Sequence, residues 1–154
     1  MFMSGDKALA LRLKAAENLM PIGAVSYLKE NQIGPNLALD FDWNGFVIWN
    51  LYPKYKLAAD GRNTTVYKDN WIDDYLRHYK AATLLDFLGD YRVDALLVKT
   101  GDEMDQVLSK DSLWMECYRD WQAAIYLPSS RNAIQISKGP SKRPNKTIFF
   151  PGDN

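Results

Sequence analysis

Two short polar clusters carry the side chains best suited to chemistry. The first is Asp40, Asp42, Trp43 and Asn44, followed by Gly45; the second is Asp60, Gly61 and Arg62. Paired carboxylates can ligate a divalent cation, an arginine can hold an anion, and an indole can stack on a sugar or a side chain. Gly45 would let a ligand come close to the backbone. Read this way, the clusters form a small pocket for a cation, a sugar or a peptide. The same residues also fit a plain structural role. Asp42 is placed to cap a following helix, Gly61 to make a turn, and Asp60 with Arg62 to tie strand ends together. A third alternative is a small hydrolase. On one strand Asp40 and Asp42 would share a face about 7 Å apart, near the spacing of carboxylate pairs that cleave glycosidic bonds.

Little else in the chain offers chemistry. There is no GxSxG, P-loop, GxGxxG or HExxH sequence. The one cysteine, Cys117, cannot make an intramolecular disulfide, and the one histidine, His78, cannot build a Cys/His zinc site with it alone. Neighbours Trp114, Met115 and Tyr118 mark Cys117 as a buried structural thiol. His78 reads as a surface or interfacial residue. No metal and no cofactor is expected. The triplets Asn63-Thr64-Thr65 and Asn145-Lys146-Thr147 fit the glycosylation pattern, which matters only in a glycosylating host.

The elements that must position the clusters follow from periodicity. Asp6–Asn18 reads as a helix, and Pro21 opens another that Gly34-Pro35 stops. Leu37, Leu39 and Phe41 alternate with Ala38, Asp40 and Asp42, a strand pattern. A short helix from Phe46 to Leu51 follows, then a strand over 56–60. Ile72, Tyr75, Leu76 and Tyr79 fall on one helical face. Thr83 with Asp86 looks like a capping box opening a helix over Leu84 to Leu88. Val93 to Val98 is a nearly continuous apolar run, suited to a central strand. Met104, Val107 and Leu108 mark a small helix. Segments 113–118 and 123–127 read as a hairpin, and Ala133 to Ile136 as a weak edge strand. Tyr52, Tyr55, Tyr67, Trp71, Tyr75 and Tyr79 are expected mainly in packing. The fold class is therefore α/β: one domain with a mixed sheet, central parallel strands joined by helical crossovers, and an antiparallel hairpin at one edge. If the first two strands are neighbours, both polar clusters share the edge where open sheets bind ligands. The chain divides into an N-terminal helical linker (1–20), the α/β domain (21–137) and a polar basic tail (138–154) with Lys138, Lys142, Arg143 and Lys146.

Composition agrees with one domain. The 154 residues are 47% apolar and 25% charged, with 19 basic against 19 acidic side chains. A net charge of zero argues against nucleic acid as a partner. No segment approaches the ~20 apolar residues of a membrane span. Asp6, Lys7, Arg12 and Lys14 interrupt the N-terminal apolar stretch, so it does not read as a signal peptide.

One ordered set of motifs goes further. It begins with Pro21-Ile22-Gly23-Ala24-Val25-Ser26-Tyr27-Leu28-Lys29 and Asp42-Trp43-Asn44-Gly45-Phe46-Val47-Ile48-Trp49. It continues through Leu51-Tyr52-Pro53, Asp60-Gly61-Arg62, Val93-Asp94 and Tyr118-Arg119-Asp120. In order and spacing, from about Pro21 to Leu127, this resembles the soluble C-terminal domain of bacterial polytopic membrane proteins of the type C glycosyltransferase kind. More distantly, Asp42-Trp43-Asn44-Gly45-Phe46 is similar to the Trp-Trp-Asp-Tyr-Gly region of oligosaccharyltransferase catalytic subunits, which helps bind acceptor peptide. Here Asp42 precedes a single Trp43, and Asn44 stands where that family has aspartate.

The resemblance implies a domain on the periplasmic or outer face, anchored by membrane spans outside this sequence. The carboxylates that catalyse transfer in such proteins lie in loops between spans. The expected function is thus a non-catalytic accessory domain that packs on the membrane-embedded region of its own parent chain and shapes donor or acceptor access. Asp42, Trp43 and Arg62 would lie nearest that edge. The rival from another class is a free-standing module binding a glycan or peptide.

Overall fold

Three parallel strands form one half of a sheet and an antiparallel hairpin forms most of the other. In this computed structural model, residues 19–31, 33–62, 67, 70–130, 137–139 and 141 are described. The strands are β1 (Asn36–Leu39), β2 (Lys56–Leu57), β3 (Ala95–Lys99), β4 (Trp114–Arg119), β5 (Ala123–Pro128) and β6 (Ser137–Lys138). Their order is β2-β1-β3-β5-β4-β6. β1 runs parallel to β2 and β3, β5 antiparallel to β3 and β4, and β6 parallel to β4. The helices are α1 (Ile22–Glu30), α2 (Asn44–Leu51), α3 (Trp71–Lys80), α4 (Leu84–Leu88) and α5 (Glu103–Leu108). This is the α/β class that the sequence predicts.

Strand alternation sorts side chains onto two buried faces. Leu37, Leu39, Leu97, Ile125 and Leu127 point to a core with Val25 and Leu28 of α1 and Val47 and Leu51 of α2. Ala38, Leu96, Val98, Ala124 and Tyr126 point the other way, to Tyr75 and Tyr79 of α3, Leu84 and Leu88 of α4, and Met104 and Leu108 of α5. The result is three layers, helix on sheet on helix. It also explains why β3 is apolar up to its last residue: Ala95 to Val98 are all buried because both faces are covered.

Local rules set the helix ends. α3 carries Asp73 and Asp74 in its first turn and Arg77, His78 and Lys80 in its last, matching the helix dipole. Asn70 before it has φ 64°, a left-handed position that asparagine tolerates. Asp102 caps α5 by accepting from Asp105 N at 2.8 Å. Thr83 does not cap α4; its hydroxyl meets His78 Nδ1 at 2.8 Å, and the His78 ring stacks on Phe87. The local capping pattern lost to a side-chain partner one helix away.

Several boundaries differ from expectation. β2 covers two residues, not the five of 56–60, and β1 stops at Leu39. Where β2 gives out, the buried Tyr75 hydroxyl takes over the ladder. It accepts from Leu39 N at 2.9 Å and donates to Leu39 O at 2.7 Å. Of the aromatic set, Tyr55, Tyr75 and Tyr79 are buried, but Tyr52 is 74% exposed. The helix expected over Asp6–Asn18 and the strand expected over Ala133–Ile136 lie outside the described residues. Among the described residues no helix is long and apolar enough to cross a membrane.

Candidate functional site

The chain leaves β1 for β2 on one side and then crosses back to β3 on the other. The gap between the ends of β1 and β3 is therefore the topological switch point, where open α/β sheets bind ligands. The residues placed there are Asp40 and Asp42 after β1, Lys99 at the end of β3, and Thr100 and Asp102 after it. Asp40 N still bonds Leu97 O at 3.1 Å, which holds the two strand ends together.

Asp40, Asp42 and Lys99 form one ionic unit. The chain turns after Leu39 into a 3-10 turn over Phe41–Trp43, capped by Asp40, whose Oδ1 accepts from Asp42 N at 2.9 Å. So Asp40, not Asp42, is the capping residue, and the two do not sit on one strand as the alternation suggests. Their second oxygens converge on Lys99 Nζ, at 3.1 Å from Asp40 and 2.8 Å from Asp42. Asp40 is 10% exposed at the side chain and Asp42 is 77% exposed. Desolvation would lower the Lys99 pKa, but the bonds to Asp42 and Asp40 outweigh it and hold the ammonium above its ordinary range.

Asp102 and Tyr79 adjoin this unit. Tyr79 Oη donates to Asp102 Oδ2 at 3.1 Å. Burial raises the Asp102 pKa, and the nearby charges of Asp105 and Asp40 add to the rise. Burial, then Asp102 and Asp40, also push the Tyr79 hydroxyl well up. The switch point thus holds three carboxylates against one ammonium.

The remaining candidates divide. β1 and β2 are neighbours, as the shared edge requires, yet Asp60 and Arg62 pair with each other. Asp60 is 1% exposed and accepts from Arg62 N and Nε, both at 2.9 Å. Burial opposes its ionisation, but the Arg62 side-chain and backbone bonds outweigh this and lower its pKa. The Arg62 guanidinium is raised in return. Trp43 is 2% exposed, its indole N–H donates to Leu19 O at 3.0 Å, and Lys99 Nζ stands 5.7 Å from its ring. It packs in the core, with no face presented to a ligand. Asn44 is also buried, as the first residue of α2. No protein atom lies within 4 Å of where a Gly45 Cβ would be, so the backbone there faces open space. Cys117 is buried, its Sγ 3.4 Å from Ile125 O, and burial pushes the thiol up to about 11, far from a reactive thiolate.

Two networks on the hairpin escaped the sequence reading. Buried Asp105 accepts from Arg119 Nη2 at 2.6 Å, Tyr126 Oη at 2.6 Å and Gly101 N at 2.7 Å. Burial would raise the Asp105 pKa, but Arg119 first, then Tyr126 and Gly101, bring it below the usual range. Asp120 takes Gln122 N at 2.8 Å, Ala123 N at 2.7 Å and Tyr118 Oη at 2.7 Å, which fixes the β4–β5 turn. A Cβ at Gly23 or Gly139 would collide with the Tyr118 hydroxyl and with Asp120. The signal was present in part, since Gly23 and Tyr118-Arg119-Asp120 both belong to the motif set; only folding brings them together.

Chemically, Asp40 and Asp42 are not an open pair of carboxylates, because both share one lysine, Lys99, at hydrogen-bond distance. Among the described residues no group of three or more His, Cys, Asp or Glu could hold a metal ion. Comparison with family models, with curated proteins and with solved structures finds no match to the chain.

Proposed function

We propose that the chain is a non-catalytic, extracytoplasmic accessory domain of a membrane glycosyltransferase-like protein. It packs on the membrane-embedded region of its own parent chain and shapes the entry of donor or acceptor at the switch-point edge. The observation that carries this reading is the commitment of the candidate carboxylates. Asp40 and Asp42 are held by Lys99, and Asp60 by Arg62. Such an edge offers fixed charge and shape from carboxylates that are already paired. The ordered motifs from Pro21 to Leu127 supply the class of parent protein. The test is protease treatment of spheroplasts from the source organism, in which any outer barrier is opened and the cytoplasmic membrane stays sealed. Digestion of the domain, with a cytoplasmic marker spared, is expected; a domain protected until the cytoplasmic membrane is broken would remove the extracytoplasmic placement.

A free-standing glycan- or peptide-binding module is favoured by one specific feature, the 77% exposure of Asp42 beside the half-buried Lys99. Sugar hydroxyls or a peptide ammonium could bond there. This alternative requires ligand-induced shifts in the isolated chain that Asp42→Asn abolishes without unfolding it.

A further inference from the structure

We propose that the aromatic-walled cavity beside β1 and β2 binds a small ligand with a planar aromatic body and one anionic group. The cavity measures about 350 Å³, within the range of small-molecule sites. It lies on the α3–α4 side of the sheet, with Asn36 and Lys56 at the starts of β1 and β2, and none of Asp40, Asp42 and Lys99 lines it.

Its walls are aromatic and held in place. Trp71 is fixed by its indole N–H, which donates to Ala58 O at 2.9 Å. Tyr91 meets it edge-on, with centroids 5.5 Å apart and planes at 73°, while Tyr67 lies parallel to it within 5°. Tyr91 is 63% exposed, a large ring left in water at the cavity wall. Flat rings at fixed angles favour a planar guest.

The rim supplies the charge. Lys56 and Arg92 line the cavity, and among the described residues no acidic side chain does. Asp94 accepts from Arg92 Nε at 2.8 Å, which orients a guanidinium whose side chain is 74% exposed. Among the described residues no carboxylate pairs with Lys56. An ammonium and a guanidinium over an apolar floor select a carboxylate, sulfonate or phosphate on an aromatic body.

The test is a fluorescence titration of the full chain with 8-anilinonaphthalene-1-sulfonate, an aromatic monoanion, and with its neutral counterpart N-phenyl-1-naphthylamine. One saturable site for the sulfonate is expected, with the neutral compound about tenfold weaker, the worth of one charge-assisted bond. Lys56→Glu, an exposed change, should weaken the sulfonate at least about tenfold while the unfolding midpoint stays put. Ala58→Phe, which fills the cavity, should remove binding. The proposal is overturned if the sulfonate fails to bind or does not saturate, if both compounds bind equally, or if Lys56→Glu leaves its affinity unchanged.

Discussion

Lys99 Nζ lies 3.1 Å from Asp40 Oδ2 and 2.8 Å from Asp42 Oδ2, so one cation at the end of β3 holds both carboxylates that follow β1. The two bonds differ in weight because Asp40 is nearly buried and Asp42 is in water. Lys99→Met should cost about 1–3 kcal/mol, mostly by stranding Asp40. Asp42→Asn should cost less than about 1 kcal/mol, as for exposed pairs. Urea unfolding of both variants checks the ranking. Because the folded Lys99 pKa is raised, its contribution is full below the unfolded lysine value of about 10.4 and fades as pH rises through the folded value.

Asp102 and Asp105 are expected to respond oppositely to pH, although both belong to the start of α5. The Asp105 pKa is lowered, so its stabilisation is present above the unfolded value of about 3.9 and is lost as pH falls through the folded value. Asp105→Asn should cost about 3 kcal/mol at pH 7, by breaking the buried pair with Arg119, and the gap should narrow in acid. The Asp102 pKa is raised, so its contribution is full below about 3.9 and is lost as pH rises through the folded value. Asp102→Asn keeps a capping oxygen and should be neutral or stabilising at pH 7, with any gain vanishing in acid. Denaturant midpoints between pH 3 and 7 for the two variants give the signs.

Three glycines should separate cleanly. Gly23→Ala and Gly139→Ala force a methyl against Tyr118 and Asp120, at about 1–3 kcal/mol each. Gly45→Ala meets open space inside α2 and should stabilise by about 0.5–1 kcal/mol. Thermal melts of the three variants check the order.

Tyr75→Phe deletes one oxygen and leaves both Leu39 backbone groups without their partner, in the core where β2 ends. The expected loss is about 2–3 kcal/mol. Hydrogen exchange adds a local readout: the Leu39 amide should lose protection more than the amides of β5.

Periodic signals carried the elements, and side-chain partners across the sheet did not follow from them. Ile72, Tyr75, Leu76 and Tyr79 announce α3 because a helix repeats its face locally. That the Tyr75 hydroxyl completes β1 depends on how short β2 is, which no local pattern encodes. The alternation through Phe41 runs past the strand end for the same reason, and it made Asp42 look like the cap that Asp40 is. Lys99 closes an apolar run, and a polar residue there could have flagged the switch point. Its role needs the strand order β1-β3, which emerges only in the sheet. Trp43 and Asn44 are expected at the ligand edge, yet the end of the 3-10 turn and the start of α2 bury both.

The most direct test of the accessory-domain function is the size and membrane partitioning of the native polypeptide, read with an antibody to this domain after cell fractionation. A band much larger than 17.7 kDa in the membrane fraction is the expected result. A band near 17.7 kDa in the soluble fraction would contradict it and favour the free-standing binding module.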